Sequence, residues 1–203
     1  MKNKTYITVF TLVLSMFSAN AAVITGVTAT ASSNDGYRTE VRVVNGSGLT
    51  GNQHGVSSWE TMWLSGSAVP QAIVFDLGAV YNVTQLNVWN YNESGGYNNI
   101  GAKNVSVTYG TTVSGLTLGG STGTVGSITT FAKATGLATY TGETFSTSFD
   151  ARYVKFDISS NYGHPAYHNA ALSEVRFTGT AVPEPGAALL GGLGMLALLR
   201  RRR

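Results

Sequence analysis

The sequence predicts an all-β fold, an antiparallel β-sandwich of the jelly-roll type. Several short segments alternate apolar and polar residues, as half-buried strands do. Glycine occurs 25 times, and Thr, Ser and Asn are abundant, which favours strands and turns. No segment between the two termini sustains a helical period. These observations together favour two packed sheets over any helical architecture.

Six segments carry the strand pattern, each bounded by turn-forming residues. They are residues 41–44, 71–77, 83–89, 104–109, 152–158 and 172–177. Residues 111–139 are rich in Gly, Ser and Thr, and here we expect hairpins with long loops. The mature region 22–181 has the size of one domain and contains no linker.

The N-terminus has the pattern of a secretory signal. Two lysines in the first four residues precede a short apolar stretch, residues 7–17, and the small residues Ala19 and Ala21 follow. Small residues at these positions fit the specificity of signal peptidase. We therefore expect a signal helix within residues 1–21 and cleavage after Ala21.

The C-terminal segment 182–203 combines a Pro-Glu-Pro tripeptide, an apolar run and four arginines. The apolar run, residues 186–199, would measure about 21 Å as a helix, against about 30 Å for a bilayer core. To span the bilayer, this helix would need the residues that flank it, and the arginines would stay on the cytoplasmic side. The residues concerned are Pro183, Glu184, Pro185, Arg200, Arg201, Arg202 and Arg203.

This tail resembles the PEP-CTERM sorting signal of Gram-negative bacteria. The resemblance implies that the C-terminal helix is transiently anchored in the inner membrane. It also implies that an exosortase-type transpeptidase recognises the Pro-Glu-Pro motif and removes the tail. The mature protein would then go to the cell envelope, the outer surface or an extracellular matrix, commonly alongside exopolysaccharide.

The basic character of the whole chain comes from its two ends. The sequence has 13 Lys and Arg and 10 Asp and Glu, a formal net charge of +3. Loss of leader and tail removes six basic side chains and Glu184, leaving seven basic and nine acidic side chains and a charge near −2. This charge gives no reason to expect nucleic-acid binding. The chain has no cysteine, so packing or a bound ion must stabilise the exported domain.

Motifs that suggest catalysis lack the context that catalysis needs. Residues 46–51 match G-x-G-x-x-G without a helix to follow, and residues 119–123 match G-x-S-x-G within low-complexity sequence. His164 and His168 are spaced like zinc ligands on a helix, but Pro165 between them disfavours that helix. Nothing in the sequence pairs two carboxylates. The protein is therefore predicted not to be an enzyme.

Five separated pieces of the chain occur in the order of a known family. They are residues 43–46, 63–65, 73–78, 152–156 and 172–177. They resemble the discoidin, or coagulation factor type C, domain, whose galactose-binding-like jelly roll is shared by family 32 carbohydrate-binding modules. The resemblance covers most of residues 29–178 and implies a sugar-binding domain of that fold.

Many members of that family hold a structural calcium ion, although none is required here as a cofactor. The ligands that the resemblance implies are Asn45, Gly48, Thr50 and Glu174. The usual Asp-Gly of the family is Asn45-Gly46 here, which removes one charge from the oxygen shell. In the alternative, Asn45 caps a turn and Glu174 pairs with Arg42 or Arg176.

Two loops carry the aromatic, amide and carboxylate groups that bind sugars. The candidate contacts are Asn90, Asn92, Glu93, Tyr97 and Asn98 in the first loop, and Tyr162, His164 and Tyr167 in the second. Both loops follow predicted strands and could converge on one glycan or exopolysaccharide. In the alternative, the aromatic rings pack the loops and the asparagines make turns. Trp59 is a further candidate platform.

Three function classes follow from these observations. The first is an exported, non-catalytic module that binds polysaccharide or a cell-surface glycan. The second is a structural or adhesive matrix protein without sugar specificity, which an apolar loop surface would favour. The third is a polysaccharide hydrolase, which needs two carboxylates across a cleft, Glu93 being the first to consider.

Overall fold

The computed structural model describes residues 20–57 and 60–183 of the 203-residue chain. The signal helix, the C-terminal apolar helix and Trp59 lie outside the described residues, as do Ala19, Glu184, Pro185 and Arg200 to Arg203. Ala21 and Pro183 are described, and both are exposed. Within the described residues no helix is long and apolar enough to cross a bilayer.

The described residues form twelve strands and two short 3₁₀ helices. The strands are β1 Ala22–Val23, β2 Thr28–Ala31, β3 Leu49–Thr50, β4 Gln53–His54, β5 Trp63–Ala68, β6 Gln71–Asn90, β7 Val105–Gly110, β8 Thr112–Ser114, β9 Thr117–Gly119, β10 Gly123–Thr124, β11 Glu143–Ile158 and β12 Asn169–Ala181. The 3₁₀ helices are Glu40–Val43 and Tyr97–Ile100. The expected all-β fold is confirmed. Within the described residues 111–139 only β8 and β9 form a hairpin, whereas β10 pairs with β7 and no strand follows it in this segment.

The strands pair antiparallel in the order β1-β12-β6-β11-β7-β10, with β2 added to β6 and β5 to β12. The long strands β6 and β11 each contribute to both layers of the sandwich. The first half of β6 pairs with β2 and the end of β11, whereas its second half pairs with β12 and the start of β11. Two register shifts between β6 and β11 accompany this bend, because an unpaired insertion increases local twist and re-aims a strand. The extra residue lies in β11 between Ser146 and Phe149, whereas the extra residues lie in β6 between Asp76 and Tyr81.

The core lies between the two layers and is built from the inward positions of these strands. Phe75 of β6 meets Phe156 of β11 and Phe177 of β12 edge to face, with ring centroids 5.0 and 5.3 Å apart. All three rings are fully buried. Burying each one contributes about 1.5–3 kcal/mol to folding.

Two details of the predicted strands need correction. Residues 41–44 do not form a strand, because Glu40–Val43 is a 3₁₀ helix that buries Val43 and exposes Val41. Four residues are too few to distinguish the two-residue period of a strand from the period of a helix. Residues 71–77 and 83–89 are also not separate strands, since both belong to the single 20-residue strand β6, with Gly78 in between at φ +85°.

The connections β6–β7 and β11–β12 lie side by side at one end of the sandwich. Asn90 ends β6, and Ile158 ends β11. Backbone bridges join Gly101 to Ala171 and Ala102 to Asn161. This pairing brings together the two loops that the sequence nominates for sugar binding.

Candidate functional site

A cluster of three aromatic side chains joins the two loops. The Tyr97 ring of the first loop stacks on the His164 imidazole of the second, with centroids 5.3 Å apart and 16° between the planes. Tyr167 completes the cluster, 4.8 Å from His164 and 6.0 Å from Tyr97. Tyr97 and Tyr167 remain 39% and 44% exposed. The structure thus brings three of the nominated residues together and leaves two rings accessible to a ligand.

Local hydrogen bonds fix the second loop in this position. His164 Nδ1 accepts the backbone N–H groups of Ala166 and Tyr167, at 3.1 and 3.2 Å. Because Nδ1 is an acceptor here, the neutral ring carries its proton on Nε2 and can donate it to a ligand. The backbone N–H of Tyr162 donates to the Asn99 carbonyl at 2.9 Å, which ties the two loops together.

Asn90 and Asn92 lie inside the domain, and both are fully buried. The Asn90 amide donates to the carbonyls of Ala102 and Ala132. The Asn92 amide donates to three carbonyls, including that of Leu137, and its Oδ1 accepts the Gly136 N–H. Both side chains therefore hold the loops in place and are not positioned to touch a sugar. Strand-end position alone did not distinguish them from surface asparagines.

Asn98 and Tyr162 lie at the border between the loop surface and the interior. Asn98 Nδ2 donates to the Ala134 carbonyl at 2.7 Å, and the Tyr162 hydroxyl donates to the Phe131 carbonyl. Tyr162 is half-buried. Burial is the main cause that raises the pKa of its phenol, and the charge of Glu143 is the second cause. Both residues therefore have structural partners of their own in addition to their place beside the cluster.

A charged network beside the first loop adds residues that the sequence analysis did not nominate. Arg38 Nε donates to Asp35 at 2.7 Å, and its Nη1 donates to the Tyr91 hydroxyl at 3.1 Å and lies 3.8 Å from Glu93. Tyr91 in turn donates to Glu93 at 2.5 Å. Tyr37, next to Arg38, is 68% exposed. The Asp-Gly-Tyr-Arg sequence of this loop was the available signal, but nothing local showed that it meets Glu93.

Burial acts to raise the pKa of Asp35, but hydrogen bonds from Arg38 and Tyr37 outweigh it and lower the pKa. The side chains of Asp35 and Arg38 are only 18% and 17% exposed. The carboxylate therefore stays ionised and anchors the guanidinium. An ionised, paired carboxylate is a poor general acid, since that role needs a raised pKa.

The four residues nominated for calcium do not form an oxygen shell in this structure. Glu174 is 1% exposed, and its two oxygens accept the Gly46 N–H and the Arg176 Nε–H, at 3.1 and 3.3 Å. Asn45 Oδ1 accepts the Ser47 N–H at 2.8 Å and is exposed, as is Thr50. This is the alternative arrangement, a capped turn and an ion pair, and these residues do not fit a calcium ion.

The histidines also give no metal centre. His54 is fully buried, and its ring Nδ1 lies 2.9 Å from the Gly55 carbonyl. Burial lowers the pKa of His54 and favours the neutral ring. Across residues 20–57 and 60–183, no three His, Asp or Glu side chains are grouped to hold a metal ion.

Comparison of the sequence with protein families and with curated proteins gives no match in either case. Solved structures do match. The family 32 carbohydrate-binding module of Clostridium perfringens NanJ, solved with galactose, aligns with a TM-score of 0.54 at 17% identity, over 78% of this chain and 99% of that one. A family 32 module from a family 31 glycoside hydrolase of the same organism aligns with a TM-score of 0.54 at 16% identity, over 79% and 95%.

A third module of this kind from Clostridium perfringens, solved with GalNAc-β-1,3-galactose, aligns with a TM-score of 0.50 at 14% identity, over 77% of this chain and 99% of that one. The domain therefore has the jelly-roll fold of family 32 carbohydrate-binding modules. This confirms the fold that the discoidin resemblance implied.

Proposed function

We propose that the protein is an exported, non-catalytic module that binds a polysaccharide or a cell-surface glycan through its two joined loops. One observation carries the proposal. Three described tyrosines are more than a third exposed, namely Tyr37, Tyr97 and Tyr167. Tyr97 and Tyr167 lie in the joined loops, and Tyr37 precedes Arg38, whose guanidinium lies 3.8 Å from Glu93 of the first loop. Exposed rings concentrated at one place are typical of a binding surface.

The chemistry of the surface suits a sugar. The accessible faces of Tyr97 and Tyr167 can cover the apolar C–H faces of a pyranose, while the His164 Nε2–H can donate to a hydroxyl. Glu93 and Asn98 add polar groups to the first loop, where the Asn98 N–H donates to the Glu93 carbonyl. Tyr162 ties the second loop to the first through its N–H bond to the Asn99 carbonyl. The proposed contacts are therefore Glu93, Tyr97, Asn98, His164 and Tyr167, with Tyr37 and Arg38 added, and Tyr162 is proposed as a supporting residue.

The fold supports this proposal by analogy. Two modules of the same fold were solved with galactose and with GalNAc-β-1,3-galactose. Fold similarity alone is a weak guide to function, so the loop chemistry must carry the argument. We therefore propose these two neutral sugars as the first probes.

The charged network favours binding over catalysis. A hydrolase would need one protonated and one ionised carboxyl group flanking the scissile bond. Glu93 and Asp35 instead both approach the Arg38 guanidinium, and the pKa of Asp35 is lowered. We propose that these carboxylates orient Arg38 and the first loop.

We also propose the route by which the protein reaches its glycan. Signal peptidase would remove residues 1–21, and the Pro-Glu-Pro tail would hold the protein in the inner membrane until an exosortase-type enzyme removes it. The mature domain would then act at the envelope or in the extracellular matrix of a Gram-negative bacterium. The observations behind this route are the sequence features of the two ends.

A glycan array probed with the full chain tests the proposal. We expect binding to a defined set of glycans and loss of that binding in Tyr97→Ala/Tyr167→Ala protein. Tyr153→Ala is the matched control, because Tyr153 is a partly exposed tyrosine on β11, paired with Asp76 and Gly110 and away from the loops. Silence of the wild-type chain across the array would contradict sugar binding and favour a structural matrix protein.

A further inference from the structure

We propose that the Arg176 guanidinium takes the place of a structural calcium ion at Glu174, so that the domain holds its fold without metal. The proposal concerns the junction between β12 and the loop that precedes β3. It is independent of the glycan site, because none of the proposed sugar contacts takes part. Its basis is the set of donors that surrounds the buried Glu174 carboxylate.

Glu174 lies on β12 and is almost completely buried, so its carboxylate needs strong partners from the protein or from an ion. Both of its oxygens have such partners in the chain itself. Oε1 accepts the Nε–H of Arg176, and Oε2 accepts the backbone N–H of Gly46. A cation and a backbone donor thus already serve the group that would bind calcium.

Arg176 is held at this position by packing as well as by charge. Its guanidinium carbon lies 5.8 Å from the centre of the Trp89 ring, within the range of a cation–π contact. Its Nη2 lies 3.2 Å from the point where a Cβ at residue 46 would stand, so Gly46 leaves room for it. The planar guanidinium therefore fits between the ring and the loop.

The loop that would supply carbonyl ligands is closed on itself. The Gly46 carbonyl accepts the Leu49 N–H at 3.2 Å, and the Gly48 carbonyl accepts the Gly55 N–H at 2.8 Å. The space beside Gly48 is filled by His54, because a Cβ there would lie 2.7 Å from the imidazole Cε1. Hydrogen bonds and a buried side chain occupy the place of an oxygen shell.

Thermal unfolding of the full chain in excess calcium chloride and in excess EGTA, above pH about 7, tests the proposal. We expect the two wild-type curves to coincide. Arg176→Ala should lower Tm by several degrees in both solutions, because it leaves a buried carboxylate without its cation. Arg176→Lys should lower Tm less than Arg176→Ala does, since lysine keeps the positive charge.

The double variant Glu174→Gln/Arg176→Ala provides the control. It removes the unpaired charge, so it should recover most of the Tm lost in Arg176→Ala. A wild-type Tm that rises with calcium would overturn the proposal, as would an unchanged Tm in Arg176→Ala. If Arg176→Ala fails to fold, a folded double variant supports the proposal, whereas an unfolded one contradicts it by placing the loss in the packing on Trp89.

Discussion

The imidazole of His164 stacks on the ring of Tyr97, and this contact joins two loops that the chain order keeps far apart. A backbone hydrogen bond from Tyr162 to Asn99 supports the same junction. The junction creates a surface with accessible rings, a ring N–H donor and a neighbouring carboxylate. Its exposed rings are expected to bind the ligand, and its buried residues to hold the junction in shape.

Removing the exposed rings should weaken sugar binding without affecting the fold. We expect Tyr97→Ala or Tyr167→Ala to cost about 1–3 kcal/mol of binding free energy, because each removes an aromatic face from the ligand. Tm should stay close to wild type, since both rings are more than a third exposed. Titration calorimetry on the strongest array ligand measures the first quantity and calorimetric melting the second. A loss of unfolding free energy as large as the loss of binding free energy would place these rings in the core.

Tyr162 should behave differently from Tyr97, although both are loop tyrosines. Its hydroxyl donates to the Phe131 carbonyl, and its ring is half-buried. We expect Tyr162→Ala to lower the free energy of unfolding by about 1–3 kcal/mol. Tyr162→Phe should lose less, because it keeps the ring. Urea denaturation distinguishes the two, and a wild-type midpoint in Tyr162→Ala would contradict the structural role.

Asn92 should be a stability residue and not a sugar ligand. Its buried amide serves three carbonyls and the Gly136 N–H, so Asn92→Ala leaves several buried groups without partners. We expect a loss of about 2–4 kcal/mol in the free energy of unfolding. Asn98→Ala is the comparison, since Asn98 is less buried and makes one such bond. Equal unfolding midpoints for the two variants would refute the distinction.

The sequence was a good guide to the fold, and it nominated part of the candidate site. Period-two segments such as residues 152–158 predicted strands correctly because their pattern reports which side chains face the core. The same pattern could not show that residues 71–90 form one bent strand, since the strands that pair with its two halves lie elsewhere in the chain.

For the candidate site, composition nominated both loops, and the structure brings Tyr97, His164 and Tyr167 together. Composition could not separate Asn92 from Asn98, because burial depends on what packs over the loop. Arg38 was missed for a related reason. Its partner Glu93 is distant in sequence, and only the folded chain places the two within 3.8 Å.

Stability should depend on pH through Glu174. Burial raises its pKa to about 7 from 4.5, although Arg176 acts in the opposite direction. Because the folded pKa exceeds the unfolded one, the stabilising effect of the protonated group is complete below pH about 4.5 and is lost as pH rises through about 7. The loss is on the order of 3 kcal/mol. Glu174→Gln should abolish this component, so the difference between the two denaturation profiles isolates it. If the stability of wild type and that of Glu174→Gln changed in parallel between pH about 4.5 and about 7, Glu174 would not be the cause of the pH dependence.

The most direct test of the central claim is a ¹H–¹⁵N NMR titration of the full chain with galactose and with GalNAc-β-1,3-galactose. We expect shifts confined to the amides of residues 37–38, 93–99 and 162–169, with no comparable shifts on the sheet faces. Shifts centred on the groove lined by Gln71, Ser106 and Asp157 would contradict the claim, as would spectra that neither sugar changes.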